Sequence, residues 1–412
     1  MNQPLLTHKR QGGFSLVELM VVIAIVLVMS LAIFGVMSTS ESKKRTLTSV
    51  NDINQSGNFA MFQLEKAARI AGSGFSQSFA QSFGCKLFAK QSTNGVILPY
   101  SGATMSAPFT ALNAALGGVY RLAPIIIAKN ATAPNMTNMV SAHSSDALIV
   151  MSGSSGYGEI PTSFTNYAVS GQLNLQNTLS FRANDLVLIA DQAGTSGSLP
   201  CMIEQVSSTF TTGGAVTALP LAGTFYANPI ATTAKGSKDL TSYSNNALAM
   251  NIGNTNGNPP SFQLLGVGDN NVLFLYDLLQ GGTYDTPMPM ADGVFEMHAL
   301  YGVDTNSDGL VDTWVDPSAT GYDYATLESG TVAANNTLLT IKAIRIGLIM
   351  RTSLPEKAPV SPAPPATTGP LTLFSDISTA LTYTRTLTGA EKNYRYRTIE
   401  STIPLRNSLL LN

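Results

Sequence analysis

The sequence contains few charged residues. Only 12% of its 412 residues are charged, and the formal net charge is −2, whereas an average globular protein has about 25% charged residues. Without a basic surplus the chain has no electrostatic footprint for nucleic acid or for anionic lipid. Serine, threonine, asparagine and glycine replace the missing charges, and this composition suits the polar, uncharged surface of an extracellular assembly.

Histidine is also scarce, and this argues against an enzyme. The three histidines are His8, His143 and His298. Polar residues 144–146 follow His143 without a G-x-S-x-G elbow, so we interpret them as a turn before a strand. His298 lies in an apolar strand pattern, where a surface or hydrogen-bonded histidine is expected. No nucleotide-binding glycine loop, zinc spacing or H-E-x-x-H motif is present, and we expect no catalytic activity.

One long apolar run dominates the chain. From Phe14 to Met37 the only ionisable side chain is Glu18, and a helix of this length is about 36 Å long, enough to span a bilayer. A secretory signal peptide has a shorter apolar region and a small-residue cleavage site. A plain membrane anchor leaves Glu18 unexplained, because a carboxylate in such a helix is costly unless it has a function. Basic residues 8–10 are expected to stay cytoplasmic, with the bulk of the chain on the far side.

The helix is predicted to continue to about Ala71. Mostly apolar residues recur every three or four positions and would form one stripe along a helix. The stripe consists of Leu47, Val50, Asn54, Gly57, Met61, Leu64, Ala68 and Ala71. Its asparagine and its glycine weaken the helical pattern. Gly72-Ser73-Gly74 ends the helix. We therefore divide it into an apolar half, 14–37, and an amphipathic half, 38–71, whose stripe packs on the protein's own core.

Residues 72–412 are predicted to form a β-rich globular domain. Short apolar runs flanked by turn residues indicate strands, at 147–151, 186–189, 202–206, 272–276, 294–303, 344–350 and 394–403. Alternation in 344–350 predicts one buried face. The fold class is therefore α+β, a long N-terminal helix packed on a mainly antiparallel sheet with long loops. A proline-rich stretch, 355–370, predicts a stiff extended loop.

The N-terminal residues resemble a known family. Gly12-Gly13-Phe14-Ser15-Leu16-Val17-Glu18 is similar to the processing site of type IV prepilins and pseudopilins. The resemblance implies that a prepilin peptidase cuts between Gly13 and Phe14, removes residues 1–13 as a leader and methylates the new amine. It also implies that Glu18 pairs with the amine of a neighbouring Phe14 in the filament. Many major pilins have a proline in this helix, whereas this chain has Gly35 there.

Further landmarks resemble the PilW-type minor pilins, although each alone is weak. Their shared order is more specific, and they are 63–72, Gly84-Cys85, 184–189, 201–203, 301–304 and 404–407. The loops around 86–140 and 207–260 match no pattern.

The resemblance implies a minor pilin that is stored in the inner membrane, with its bulk in the periplasm, and is then incorporated into a surface pilus. Implied partners are the other minor pilins, the major pilin, the peptidase and the inner-membrane assembly platform. The implied work is to prime assembly from a tip complex. The alternatives are a pseudopilin of type II secretion and a pilus-tip adhesin.

The two cysteines, Cys85 and Cys201, allow a single pairing. A disulfide is expected because an oxidising compartment permits it and because free thiols are liabilities there. Two separate buried thiols are the alternative.

An acidic stretch matches part of a calcium-binding motif. Asp304, Asn306, Asp308, Gly309, Leu310 and Asp312 occupy positions 1, 3, 5, 6, 7 and 9 of an EF-hand loop. Position 12 is Val315 instead of glutamate and strand patterns flank the loop, so a full EF-hand is excluded. Either the stretch is a hairpin turn, or it is a short Ca²⁺ loop that uses these oxygens, the Leu310 carbonyl and Asp316 or water.

Overall fold

The computed structural model describes residues 13, 15–92, 95–100, 105–132, 144–155, 160–165, 171–191, 199–213, 216–226, 240–280, 286–355, 369–409 and 411. The chain divides by its internal contacts into two compact units, Met1–Asp52 and Ile53–Asn412. Most of the leader, together with Phe14, His143 and the centre of the proline-rich stretch, lies outside the described residues.

A single long helix, α1 (Leu16–Ile70), contains the apolar run and the amphipathic stretch. Gly72 follows with φ +81°, a left-handed conformation that ends the helix without steric strain. The predicted helix and its glycine stop are confirmed. Five short α-helices follow in the part of the chain that the structure describes: α2 (Phe79–Ser82), α3 (Thr110–Leu116), α4 (Tyr324–Leu327), α5 (Val332–Thr340) and α6 (Arg406–Leu409).

The second unit is built on β-strands. Within the described residues they are β1 (Leu87–Gln91), β2 (Gly95–Leu98), β3 (Ile125–Thr132), β4 (Ser145–Ser152), β5 (Thr162–Ser163), β6 (Gln172–Asn174), β7 (Asp185–Ala190), β8 (Cys201–Gln205), β9 (Ala218–Pro220), β10 (Leu248–Asn254), β11 (Ser261–Gly268), β12 (Val272–Asp277), β13 (Met288–Asp292), β14 (Val294–Val303), β15 (Thr313–Val315), β16 (Ile341–Arg351), β17 (Leu371–Leu373), β18 (Tyr383–Arg385) and β19 (Tyr396–Pro404).

These strands form three larger sheets and two hairpin-sized ones. The larger sheets have the orders β2-β1-β8-β7-β10-β5, β13-β12-β11-β4-β3 and β15-β14-β16-β19, and the small ones pair β17 with β18 and β6 with β9. Among the described strands the only parallel pair is β1 with β8. The α+β class and its mainly antiparallel sheet are confirmed.

The C-terminal part of α1 packs closely on β16 and β19. A side-chain carbon added at Gly57 would lie 2.5 Å from Cδ1 of Ile399 and 3.0 Å from Cγ of Met350. The sequence pattern made Gly57 a weak point of the helix, but in the structure it permits the contact with the sheet. Asn54 accepts a hydrogen bond of 2.5 Å from the guanidinium of Arg397, and Glu65 accepts one from the Ser401 hydroxyl.

The predicted stripe is buried only from Gly57 onward. Met61, Leu64, Ala68 and Ala71 belong to the main hydrophobic core, whereas Leu47 is exposed. The buried part of the stripe therefore begins at Gly57.

Strand β16 corrects another prediction, because both of its faces are buried. Met350 faces α1, while a side-chain carbon at Gly347 on the other face would contact Leu373 and Phe374 at 2.9 and 3.0 Å. The hairpin of β17 and β18 covers this second face. Alternation alone did not reveal the cover, since it comes from residues more than twenty positions further along the chain.

The expected disulfide is present. Cys85 and Cys201 are bonded, with their Cα atoms 5.6 Å apart, and both are buried. The bond lies where β1 runs parallel to β8, with Leu87 opposite Cys201. It closes a loop with a sequence separation of 116 residues, and removing such a bond typically costs about 2–5 kcal/mol.

The close helix–sheet approach gives a first prediction. Gly57→Leu should lower the free energy of unfolding by about 1–3 kcal/mol, because the added side chain must displace Ile399 and Met350. Denaturant unfolding of the full chain in detergent measures this change. Asn58→Leu, at an exposed position of the same helix, is the matched control and should change stability by less than about 0.5 kcal/mol. Equal stability of the two variants would contradict the prediction.

Candidate functional sites

The N-terminal part of α1 presents an apolar surface with one carboxylate. The large apolar side chains from Leu16 to Met37 are all more than half exposed. Glu18 lies in the first turn and is exposed, and Gly13 is exposed just before the helix. By length and composition this helix can cross a membrane. The structure thus places Gly13 and Glu18 near one end of the apolar helix, as the sequence predicted, while Phe14 lies outside the described residues.

The acidic stretch 304–312 forms a tight loop between β14 and β15. Asp304 is buried, and its two carboxylate oxygens accept the backbone N–H groups of Ser307 at 2.6 Å and Gly309 at 2.8 Å. Burial favours the neutral acid, but these hydrogen bonds outweigh it and hold the pKa of Asp304 below its usual value. Gly309 has φ +84°, so the glycine permits the turn.

The remaining candidate ligands of this loop accept hydrogen bonds from it too. Asp312 accepts hydrogen bonds from the N–H and the hydroxyl of Thr305 at 2.7 and 2.8 Å. The side-chain oxygens of Asn306 and Asp308 accept hydrogen bonds from the backbone N–H groups two residues further along, those of Asp308 and Leu310. Across the described residues, no group of three acidic, histidine or cysteine side chains is close enough to hold a metal ion. Asp316, considered as a completing ligand, instead pairs with Lys129. These contacts are those of a hairpin turn.

A buried cluster of charged side chains surrounds His298. The imidazole lies 3.6 Å from Asp146 on one side and 3.5 Å from Glu296 on the other, and it stacks on Tyr383 with ring centroids 3.7 Å apart. Tyr383 donates a hydrogen bond of 2.8 Å to Glu296, and Arg385 lies 3.1 Å from the same carboxylate. His298 is therefore a buried core histidine between two carboxylates, and the surface alternative is wrong.

Electrostatics in this cluster favour a charged imidazole. Burial lowers the pKa of His298, but the hydrogen bonds and charges of Asp146 and Glu296 outweigh it and raise the pKa to about 9. The group joins β4, β14 and β18, so its charges hold the β17–β18 hairpin to the sheet. At 4% exposure His298 does not reach solvent, and the arrangement is structural.

A second buried carboxyl lies at Glu328. It accepts a hydrogen bond of 2.8 Å from the backbone N–H of Arg121. Burial raises the pKa of Glu328 to about 8, and this hydrogen bond and the Arg121 charge offset only part of the shift. Sequence reasoning singled out neither Glu328 nor Glu296. The sequence offered one indication of a buried carboxyl, which is a lone acidic residue inside an apolar strand pattern, as at Glu296.

The described residues form a long N-terminal helix with an exposed apolar half and a mainly antiparallel β domain, a layout that fits a pilin. Comparison with known families agrees. Residues 8–38 match the prokaryotic N-terminal methylation motif, and residues 254–407 match the type IV pilus-assembly protein W family. Together these are the matches of a PilW-type minor pilin, which confirms the resemblance and supports a structural role in type IV pilus assembly. No curated protein and no solved structure is significantly similar to the chain.

The raised pKa values predict that stability falls as pH rises. A group whose folded pKa exceeds its unfolded pKa stabilises the fold below the unfolded value and loses this contribution as pH rises through the folded value. For His298 the window runs from about 6.5 to 9, and the loss is on the order of 3 kcal/mol. For Glu328 it runs from about 4.5 to 8. Denaturant unfolding at successive pH values measures both.

The two groups contribute unequally above pH 8, where Glu328 is already at least half ionised and most of the remaining loss comes from His298. His298→Gln should be less stable overall, and its stability should vary little between pH 8 and 9. Glu328→Gln keeps His298 and should retain the decline in that range. A wild-type stability that is flat from pH 6.5 to 9 would contradict the assignment of a charged His298.

Proposed function

We propose that the chain is a minor pilin of a type IV pilus that is held in the inner membrane, cleaved after Gly13 and incorporated into the filament, where it primes assembly from a tip complex. One observation carries the proposal. An apolar helical segment with a single carboxylate, matching the methylation motif, precedes a β domain whose residues 254–407 match a pilus-assembly family. The role is structural, with other pilins and the inner-membrane assembly platform as partners.

The proposed chemistry of assembly is electrostatic. Cleavage at Gly13 creates an amine on Phe14, and Glu18 supplies the opposite charge four residues further on. Each charge alone is unfavourable in an apolar helix bundle, so a helix is held most firmly where its Glu18 meets the amine of a neighbouring subunit. Docking of the apolar surface from Leu16 to Met37 against other helices then removes that surface from lipid.

Deletion of the gene separates this proposal from its alternatives. Loss of pili that is restored by the wild-type chain supports the priming role. Normal pili with lost attachment would favour a tip adhesin. Normal pili with loss of secreted proteins would favour a pseudopilin of type II secretion.

Substitutions at Gly13 and Glu18 test the N-terminal assignments. Gly13→Ala should leave a precursor that is longer by the leader, because the cleavage site is altered. Glu18→Gln keeps the size of the side chain and removes its charge, so it should be cleaved normally but be depleted from sheared pili. Intact mass measures cleavage, and quantitative immunoblotting of membranes and pili measures incorporation.

The controls are residues of the same type at other positions, Gly12 and Glu41. Gly12→Ala should be cleaved like the wild type, and Glu41→Gln, at an exposed position of α1, should enter pili normally. An N-terminal Phe14 in the Gly13→Ala variant would refute the cleavage assignment. Normal incorporation of Glu18→Gln would show that Glu18 is not the pairing charge.

We propose in addition that the acidic loop takes one Ca²⁺. Its supporting feature is the spacing of Asp304, Asn306, Asp308 and Asp312 together with the left-handed Gly309, as in the first nine positions of an EF-hand loop. Asp308 and Asp312 are exposed and would have to approach Asp304, with the Leu310 carbonyl as a further ligand.

Thermal unfolding of the full chain tests the calcium loop. With a dissociation constant on the order of 10⁻⁴ to 10⁻³ M, as in extracellular modules, about 10 mM Ca²⁺ should add roughly 1–3 kcal/mol to stability and raise the midpoint. Asp308→Asn keeps the cap on Leu310 and should weaken this response, and Mg²⁺ is the ion control. An unchanged midpoint with Ca²⁺ and with chelator would leave only the hairpin turn.

A further inference from the structure

A cleft of about 460 Å³ opens in the second unit. Its walls are the C-terminal end of β8, the residues that follow β9 and the turn after β10. This volume falls within the usual range of small-molecule sites. Most of the lining precedes residue 254, where the match to the pilus-assembly family begins, so the cleft lies largely outside the matched region.

The described lining is polar but uncharged. Among these residues, amides and hydroxyls occur together with one aromatic ring, Phe225, and none of them is acidic or basic. The polar side chains are Asn184, Gln205, Ser208, Thr224, Thr255 and Asn256. An anionic or cationic ligand would therefore lose its hydration without meeting an opposite charge.

Gln205 is a fixed polar group in this cleft. It is only 5% exposed, its carbonyl oxygen accepts the N–H of Phe225 at 3.1 Å, and its amide nitrogen donates to Asn184 at 3.3 Å. One amide hydrogen and one lone pair remain after these two bonds. The group is thus held in one orientation before any ligand arrives, which lowers the entropic cost of binding.

Gly223 has no side chain, and the Gln205 amide occupies the space that a side chain at position 223 would need. It has φ +129°, and a side-chain carbon at this position would lie 2.5 Å from the carbonyl oxygen of Gln205. Any other residue here would have to displace the Gln205 amide. Gly223 and the buried Gln205 amide are therefore packed directly against each other. Such close packing distinguishes this cleft from a gap left by loose packing.

Other polar side chains of the cleft are available to a ligand. Ser208, Thr224 and Asn256 are exposed, and within the described part of the chain their side chains form no hydrogen bond. An exposed set of hydroxyl and amide groups beside a pre-positioned amide can both donate to and accept from a ligand that carries many hydroxyls.

We propose that this cleft is a binding site for an uncharged saccharide. Amides and hydroxyls match the alternating donors and acceptors of sugar hydroxyls, and the half-buried Phe225 offers an apolar surface to the C–H groups of a sugar ring. An extended peptide fits less well. Strand β8 is already paired on both edges, with β1 and β7, so no free edge is present there for an added strand.

The site does not depend on the proposed place of the chain in a pilus, and its test uses purified protein. The full chain is held in a detergent without a sugar headgroup, and glucose, galactose, mannose and N-acetylglucosamine are titrated separately, with binding followed by saturation-transfer NMR. At least one should bind with a dissociation constant on the order of 10⁻³ M, typical of an open polar cleft with few contacts.

Variants connect binding to the cleft. Ser208→Ala combined with Asn256→Ala should weaken binding about tenfold, because two neutral hydrogen bonds are lost. Asn336→Ala, at an exposed position on α5, is the control and should bind like the wild type, with unchanged unfolding midpoints in both proteins. Binding of none of the four sugars, or undiminished binding by the double variant, overturns the proposal. Binding only of sialyllactose or of a neutral peptide such as tetra-alanine also overturns it.

Discussion

The contact between the C-terminal part of α1 and strands β16 and β19 is the constraint on which the second unit depends. Gly57 lets the helix approach Met350 and Ile399, and the buried residues that follow on α1 join the main core. On the opposite face of β16, Gly347 allows an equally close approach of Leu373 and Phe374. Strand β16 is thus covered on both faces. On one face the strand itself lacks a side chain, at Gly347, and on the other face the helix lacks one, at Gly57.

The packing of the β17–β18 hairpin on the sheet also buries several charged side chains. In a chain that is only 12% charged, Asp146, Glu296 and His298 are all buried, between β4, β14 and the β17–β18 hairpin. Isolated charges there would be strongly unfavourable, so each lies beside an opposite charge or a hydrogen-bond donor. Their role is to hold the hairpin in one position over the sheet. Arg385 extends the network to Glu391 at 2.8 Å, and so ties in the segment before β19.

The two parts of the β domain differ in their relation to known families. Residues 254–407 contain β16, β19 and most of the His298 cluster, that is, the elements that cover α1 and hold the hairpin. Residues 39–253, between the two matched segments, contribute the disulfide, most of the six-stranded sheet and most of the polar cleft. An assembly role connected with α1 and a separate binding role in the unmatched part are therefore compatible within one chain.

The sequence by itself determined the features that depend on local pattern. The apolar run with Glu18, the glycine stop after α1, the strands at 147–151, 294–303 and 344–350 and the α+β class were all predicted, because helix and strand periodicity and turn residues act over short distances. The pairing of Cys85 with Cys201 was predicted because the chain has only two cysteines and an oxidising compartment was expected. Only the tertiary structure decided the role of Gly57, the cover over the second face of β16, the partners of His298 and the convergence of Gln205, Phe225 and Asn256 on one cleft. Each of these depends on residues distant in the chain that packing brings together, and no local periodicity records such contacts.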